Sequence, residues 1–312
     1  MMKIVFLDSL SLGNKDLSRF EKFGEFIEYR ITSKDQLAER IFDADIIITN
    51  KVYLGKEELS LAKNLKLICI SATGINNVDI NVAKKMNIKV INVKDYSTES
   101  VAQMAITYML NLSSSLIDYN NLSKTGEWAN SPIFTKLSFP FSNLKGKKLG
   151  IIGYGAIGKR VEQLARVFGM DILISERPGN QLKRFDRISF EEVLEKSDFI
   201  TIHTPLDANT KNLFNMDTFR KMKSSAFLIN TARWPIINEE YFYIALTNNI
   251  IAGGAIDVMT VEPPQEDNPL FTLNNLIITP HIAWASDESI SKLLEGIEKN
   301  ITDFFNGQLE SL

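Results

Sequence analysis

Short runs of aliphatic and β-branched residues recur along the chain, and between them apolar positions fall three and four residues apart. Residues 3–7 (KIVFL), 46–49 (IIIT), 67–71 (LICIS) and 89–92 (KVIN) are runs of the first kind. Runs this short and this apolar fit strands buried on both faces. Segments 36–42, 56–62 and 78–85 carry the helical spacing between them. Strand and helix in alternation imply a parallel sheet with helices on both faces. The first hundred residues therefore form a small α/β unit of their own. A second series follows, with strands expected at 149–152, 172–174, 199–203, 227–230, 254–257 and 276–279. Helices at 190–196, 216–221 and 239–248 fill the gaps, which gives a second doubly wound sheet from about 147 to 281.

Two segments stand outside this alternation. Residues 99–117 read as one long helix, with Ser97 or Thr98 as N-cap and no charge from Val101 to Ile117. The polar, irregular stretch 123–143 carries Trp128, Pro132 and Pro140 and reads as a loop wrapping the next domain. The long helix is expected to connect two domains. The final helix, 287–305, has no strand after it and returns to the first unit, making that unit discontinuous. The expected division is 1–98 plus 286–312 for one domain and 99–285 for the other.

Composition narrows the class. A chain of 312 residues, 45% hydrophobic and 23% charged, has the balance of globular domains. A net charge of −3 recommends neither nucleic acid nor an anionic membrane as a partner. The opening MMKIVFLDSL turns polar too soon for a signal peptide, and 101–117 is too polar for a membrane span. A cytoplasmic protein is the expectation. Cys69, the only cysteine, lies in an apolar run and is expected to be a buried thiol.

The stretch around the first strand of the second sheet is chemically the most specific. Gly153, Gly155 and Gly158 follow that strand in the spacing G-x-G-x-x-G. Val161, Leu164, Ala165 and Phe168 then recur at helical spacing, Gly169 stands at the C-cap, and the next strand ends at Glu176. Gly153 allows the tight turn, Gly155 lets a pyrophosphate approach bare backbone, and Gly158 lets the helix pack closely on the sheet. The helix N-terminus offers unpaired N–H groups to the phosphates. Glu176, eighteen residues after Gly158, accepts hydrogen bonds from the adenosine ribose and repels a 2′-phosphate, so NAD(H) is expected over NADP(H). Arg177 beside it softens that preference.

Both histidines follow strands of the second sheet, His203 in HTPL and His281 in TPHIAWAS. Arg233 also follows a strand, and Glu262 lies five residues after Asp257. Ligands bind outside the carboxyl ends of strands in such sheets. Hydride transfer to a carbonyl needs a proton donor, an anchor for an anionic substrate and a group that holds the donor protonated. His281, Arg233 and Glu262 are the residue types for these tasks. Pro205, close behind His203, marks a loop lining the cofactor, and no residue set is read as a metal site.

These segments resemble the NAD-dependent D-2-hydroxyacid dehydrogenase family over nearly the whole chain. The matching stretches are SATGINNVDI, YSTESVAQM, LGIIGYGAIGKR, HTPLDANT, LINTAR, GGAIDVMTVEPP and ITPHIAWAS. The glycerate dehydrogenase/hydroxypyruvate reductase branch is the most similar. The resemblance implies two Rossmann/flavodoxin-like doubly wound parallel-sheet domains with a cleft between them. It assigns the substrate carboxylate and carbonyl to Arg233, general acid–base work to His281, and support of His281 to Glu262. Backbone N–H groups of Thr73 and Gly74 would hold the carboxylate, with Ser97 nearby. Ala156 and Ile157 would meet the pyrophosphate and Asp257 the nicotinamide carboxamide, while His203, Thr204, Thr231 and Ala232 would line the cofactor. A homodimer built on the long helix and its loop is also implied.

One departure stands out. Where the family has Arg-Gly-Gly or Arg-Gly-Pro, this chain has Arg233–Trp234–Pro235. Trp234 is expected either to reshape the site beside Arg233 or to pack at the surface. The expected reaction is hydride transfer between NAD(H) and a small D-2-hydroxy acid or 2-keto acid, with glycerate/hydroxypyruvate or glyoxylate foremost. The alternatives are another 2-keto acid (pyruvate, branched-chain or phosphorylated) and a non-catalytic NAD(H)-sensing protein. No extra Arg or Lys cluster in the matching segments favours a phosphorylated substrate.

Overall fold

The computed structural model describes residues 1–177 and 184–312. They form two compact units, Met1–Ser97 with Ala285–Leu312, and Thr98–Trp284.

The first unit is a five-stranded parallel sheet. Its strands are β1 (Lys3–Phe6), β2 (Glu25–Glu28), β3 (Ile46–Thr49), β4 (Leu67–Ile70) and β5 (Lys89–Asn92), in the order β2-β1-β3-β4-β5. The three helices α1 (Lys34–Ile41), α2 (Lys56–Leu61) and α3 (Ile80–Lys85) connect them. Val5, Ile47, Ile68 and Val90 share one buried cluster with Leu37, Leu59 and Ala83 of the helices. The central strands are apolar on both faces, which made them visible in the sequence. β2 was not anticipated: it is an edge strand paired only with β1, its two glutamates are exposed, and four residues of EFIE carry too little pattern. Cys69 is fully buried, and burial pushes its thiol up from the ordinary value. The last helix, Asp287–Phe305, packs on this sheet so tightly that a Cβ on Gly296 would meet Val93 Cγ1 at 2.5 Å. Beyond it, Leu312 donates its N–H to Val90 at 2.9 Å.

The second unit opens with α4 (Thr98–Ser114) and α5 (Leu116–Lys124). One continuous helix over 99–117 is not what forms. Ser115 sits at φ 51° and breaks the helix, with its hydroxyl donated to Pro140 O at 2.9 Å. Nor is α4 only a connector, because Ala102, Ala105, Ile106 and Met109 enter the core of this unit. Its lack of charge follows from that burial. The stretch after α5 folds back on α4 and α5: Tyr119 bonds Phe139 O at 2.7 Å, and Ser142 donates to Ser113 O at 2.8 Å. It carries Trp128, Ile133, Phe134, Leu137 and Phe141 exposed.

Six parallel strands follow: β6 (Lys148–Ile152), β7 (Asp171–Ile174), β8 (Phe199–Ile202), β9 (Phe227–Asn230), β10 (Gly253–Ile256) and β11 (Leu276–Ile278). Between them lie α6 (Ala156–Val167), α7 (Phe190–Lys196), α8 (Met216–Lys221) and α9 (Glu239–Thr247). The order β11-β10-β9-β8-β6-β7 places the switch point between β6 and β8. Leu149, Ile151, Phe199 and Ile229 face α4 and α6, while Ile152, Ile200, Ile202 and Leu228 face α7, α8 and α9. Among the described residues, no helix is long and apolar enough to cross a membrane.

Candidate active site

Parallel strands end on one side, so the loops after β7, β6, β8, β9, β10 and β11 form a row along one edge of the second sheet. The sequence-expected residues Glu176, Gly153, His203, Arg233, Asp257 and His281 fall into that row in this spatial order.

The glycines of the turn after β6 each meet a different constraint. Gly153 lies at φ +91°, and a Cβ there would come within 2.5 Å of His203 C and Thr204 N at the end of β8. The switch point therefore closes only around a glycine. A Cβ on Gly158 would meet Gly153 O at 2.3 Å, so α6 rests on the turn itself. A Cβ on Gly155 would meet nothing within 4 Å. The chain leaves that space free over exposed Gly155 and Ala156, at the end of a helix with no acidic residue in its first turn. A pyrophosphate on the N–H groups of Ala156, Ile157 and Gly158 suits this cradle. Thr231, after β9, has a buried hydroxyl oxygen without a partner among the described residues, a second feature a bound cofactor would satisfy.

At the far end of the turn Glu176 is buried after β7. Its Oε1 accepts the Arg177 N–H at 3.0 Å and the Arg184 guanidinium, and Arg184 Nε reaches Oε2 at 3.3 Å. The bare carboxylate expected to repel a 2′-phosphate is thus an ion pair. Arg184 was missed because it lies eight residues downstream and only the fold brings it back.

The other end of the row carries the acid–base group. His281 Nδ1 lies 2.7 Å from Glu262 Oε2, and Glu262 Oε1 accepts the Met259 N–H at 3.0 Å. The carboxylate fixes the Nδ1 proton, which leaves Nε2 for proton exchange. His281 sits at φ 55° in the left-handed region, held there from both sides. Its N–H bonds Thr279 O at 3.0 Å. The next two N–H groups, of Ile282 and Ala283, each donate to the carboxylate of Asp257 at 2.8 Å. Asp257 is buried, and burial raises its pKa above the ordinary carboxylate value. Thr279 Oγ1 lies 2.5 Å from both Asp257 Oδ1 and Tyr108 Oη. Tyr108 and Thr279 had no motif to reveal them; they join α4 to the loop that holds the histidine.

Arg233 follows β9 in extended backbone and is half-buried, its Nη1 donating to Ala232 O at 2.7 Å. Buried Asn230 braces this loop by accepting the Ala232 N–H at 3.0 Å and donating to Arg233 O at 3.1 Å. Trp234 does neither thing expected of it. It is buried at 2% exposure in the second unit's core, edge-on to Phe242 at 5.9 Å. It opens a 3-10 turn, Trp234–Ile236, with Pro235 inside, so no glycine-like angle is needed.

His203 donates its N–H to Ile152 O at 2.7 Å, and its Nε2 lies 2.9 Å from Thr201 Oγ1. Burial pushes the imidazole down to about 3, which keeps it neutral. The unfolded chain takes up a proton near pH 6.5 that the folded chain refuses, so this stability is intact above 6.5 and lost as pH falls toward 3. From pH 7.5 to 5 the loss through His203 should be about 2 kcal/mol. Urea unfolding of wild type and His203→Gln at both values checks it; equal pH dependence in the two proteins refutes it.

In the first unit Thr73 and Gly74 follow β4 and are accessible, while Ser97 is buried. Asn92 Nδ2 donates to Thr73 O at 2.6 Å, and Asn50 Nδ2 to Ser71 O at 3.1 Å, so two side-chain amides fix this loop.

A glycine turn at the switch point and a carboxylate-supported histidine on the same sheet edge define a dinucleotide-dependent dehydrogenase. Residues 106–283 match the NAD binding domain of the D-isomer specific 2-hydroxyacid dehydrogenases. A hydroxypyruvate reductase of Blautia hydrogenotrophica is 35% identical, covering 98% of each chain. A glycerate dehydrogenase of Methylorubrum extorquens is 36% identical over 99% of this chain and 98% of its own. Among solved structures, the Aquifex aeolicus D-lactate dehydrogenase complexed with NAD and lactic acid superposes with a TM-score of 0.84 at 26% identity, covering 98% of this chain and 96% of that one. This chain belongs to the D-isomer specific 2-hydroxyacid dehydrogenase family. It is an NAD-dependent oxidoreductase acting on CH–OH groups.

Proposed function

We propose that the chain catalyses reversible, NADH-dependent reduction of a small 2-keto acid, hydroxypyruvate or glyoxylate, to the D-2-hydroxy acid. The observation that carries this is the pairing of His281, after β11, with Glu262, after β10, two strands from Arg233 after β9. Two strand spacings put these ends roughly 10 Å apart, the scale of a small substrate with its anchoring side chains. The names of the two relatives above supply the choice of keto acid.

The nicotinamide, when bound, supplies the hydride. Arg233 binds the substrate carboxylate and polarises its carbonyl oxygen. His281, protonated, gives the Nε2 proton to the oxygen as negative charge develops there, and takes it back in the oxidation. Glu262 holds the ring and balances the imidazolium. Thr73, Gly74 and Ser97 are assigned to the carboxylate, and Ala156, Ile157, Thr204, Thr231, Ala232 and Asp257 to the cofactor. The first unit is read as the substrate domain and the second as the cofactor domain.

A screen of NADH oxidation over hydroxypyruvate, glyoxylate, pyruvate, branched-chain keto acids and a phosphorylated keto acid tests the reading. The highest kcat/KM should fall on hydroxypyruvate or glyoxylate. NADH binding with no oxidation across the panel would establish a sensing protein instead.

The same proposal includes a homodimer. Leu116, Ile117, Phe134, Leu137 and Phe141 are exposed on and after α5, large apolar side chains of the kind that an interface would cover. Sedimentation should give twice the chain mass of 35.3 kDa; a particle of 35.3 kDa removes the dimer. Cytoplasmic residence fits the lone, buried Cys69, and cell fractionation tests it.

A further inference from the structure

The adenosine end of the dinucleotide turn carries more positive charge than a free ribose requires. Arg177 and Arg184 meet Glu176, and Arg187 lies against Asp186. Arg177 caps the Glu176 carboxylate with its backbone and leaves its side chain exposed. Arg184 meets both oxygens of Glu176 and keeps a side chain that is 50% exposed. Arg187 is buried, with Cζ 4.3 Å above the ring of Tyr154, the second residue of the glycine turn. Its Nε faces Asp186 Oδ1 at 3.4 Å without the geometry of a hydrogen bond. Three cations against two carboxylates leave a formal charge of +1 on these five residues.

A buried carboxylate alone repels a 2′-phosphate, whereas one already paired with a guanidinium does not. Arg184 spends two of its five N–H donors on Glu176. The others, on a half-exposed head, have no partner among the described residues and can take phosphate oxygens while the pair with Glu176 persists.

We propose that Arg184, with Arg177 beside it, makes this site accept the 2′-phosphate of NADPH as well as the free ribose of NADH. The proposal rests on reading Gly153 to Gly158 and Glu176 as the dinucleotide site. It makes Arg184 a specificity-determining residue that no sequence motif marks.

Calorimetric titration of the full chain with 2′,5′-ADP and with 5′-AMP isolates the phosphate without turnover; kcat/KM with NADPH and NADH accompanies it. Wild type should bind 2′,5′-ADP at least as tightly as AMP and use NADPH within about tenfold of NADH. Arg184→Ala should shift the affinity ratio at least tenfold toward AMP, the size of a charged hydrogen bond, and Arg184→Lys should recover part of it. A structural defect would weaken both nucleotides alike and leave the ratio unmoved. Binding of AMP but not 2′,5′-ADP by wild type, or an unmoved ratio in Arg184→Ala, overturns the proposal. Binding of neither nucleotide overturns the dinucleotide reading and this proposal with it.

Discussion

Replacing His281 with asparagine should lower turnover by roughly two to four powers of ten, the span of a general acid–base group. Asparagine is the informative choice because position 281 lies at φ 55°, a conformation asparagine tolerates well. The N–H bonds that fix the loop come from backbone, so Asp257 keeps its hold on residues 282 and 283 in the variant. What disappears is the proton at the ring nitrogen and the charge that Glu262 balances. The measurement is single-turnover reduction of the best keto acid, with NADH affinity read from fluorescence. Turnover within tenfold of wild type would remove His281 from the mechanism. A loss accompanied by an equal loss of NADH affinity would mean that the loop, not the acid, had been damaged.

The second large effect is on stability. Trp234→Ala should cost about 3–5 kcal/mol, the usual penalty for emptying an aromatic site in a packed core. Trp234 is 2% exposed and packs with Phe242, itself fully buried against Phe219. For a unit the size of Thr98–Trp284, that loss corresponds to a midpoint lower by on the order of 10 °C. Calorimetry of both proteins gives the answer. An unchanged midpoint together with altered substrate preference would place Trp234 in the site after all. The resemblance implies a glycine at position 234, yet the chain meets the indole with a turn of ordinary angles. Arg233 is therefore flanked by a core anchor on one side and by the Asn230 brace on the other.

Much of this was legible in the sequence because buried parallel strands are apolar at every position. Ile46 to Thr49 and Leu67 to Ile70 announce themselves, and so does the glycine turn after β6, whose spacing is set by backbone geometry within six residues. β2 and the break at Ser115 were not legible, since an edge strand needs no such pattern and a left-handed serine has none. The chemical identities of Arg233, Glu262 and His281 were readable as residue types after strands. Their common edge was legible as well, because a parallel sheet puts all its carboxyl ends on one side; the adjacency of β9, β10 and β11 along that edge came from the strand order.

The sequence by itself determined the buried strands, most of the helices and the kinds of chemistry available, since those depend on local spacing and on side-chain type. Only the tertiary structure decided which charges neutralise one another and which groups share a hydrogen-bond chain. Arg184 returns to Glu176 across eight residues, and Tyr108 reaches Asp257 through Thr279 across more than a hundred. Trp234 turns into the core rather than toward Arg233. Such pairings are set by the packing of whole elements, and burial then fixes their energies by removing the water that would otherwise screen each group separately.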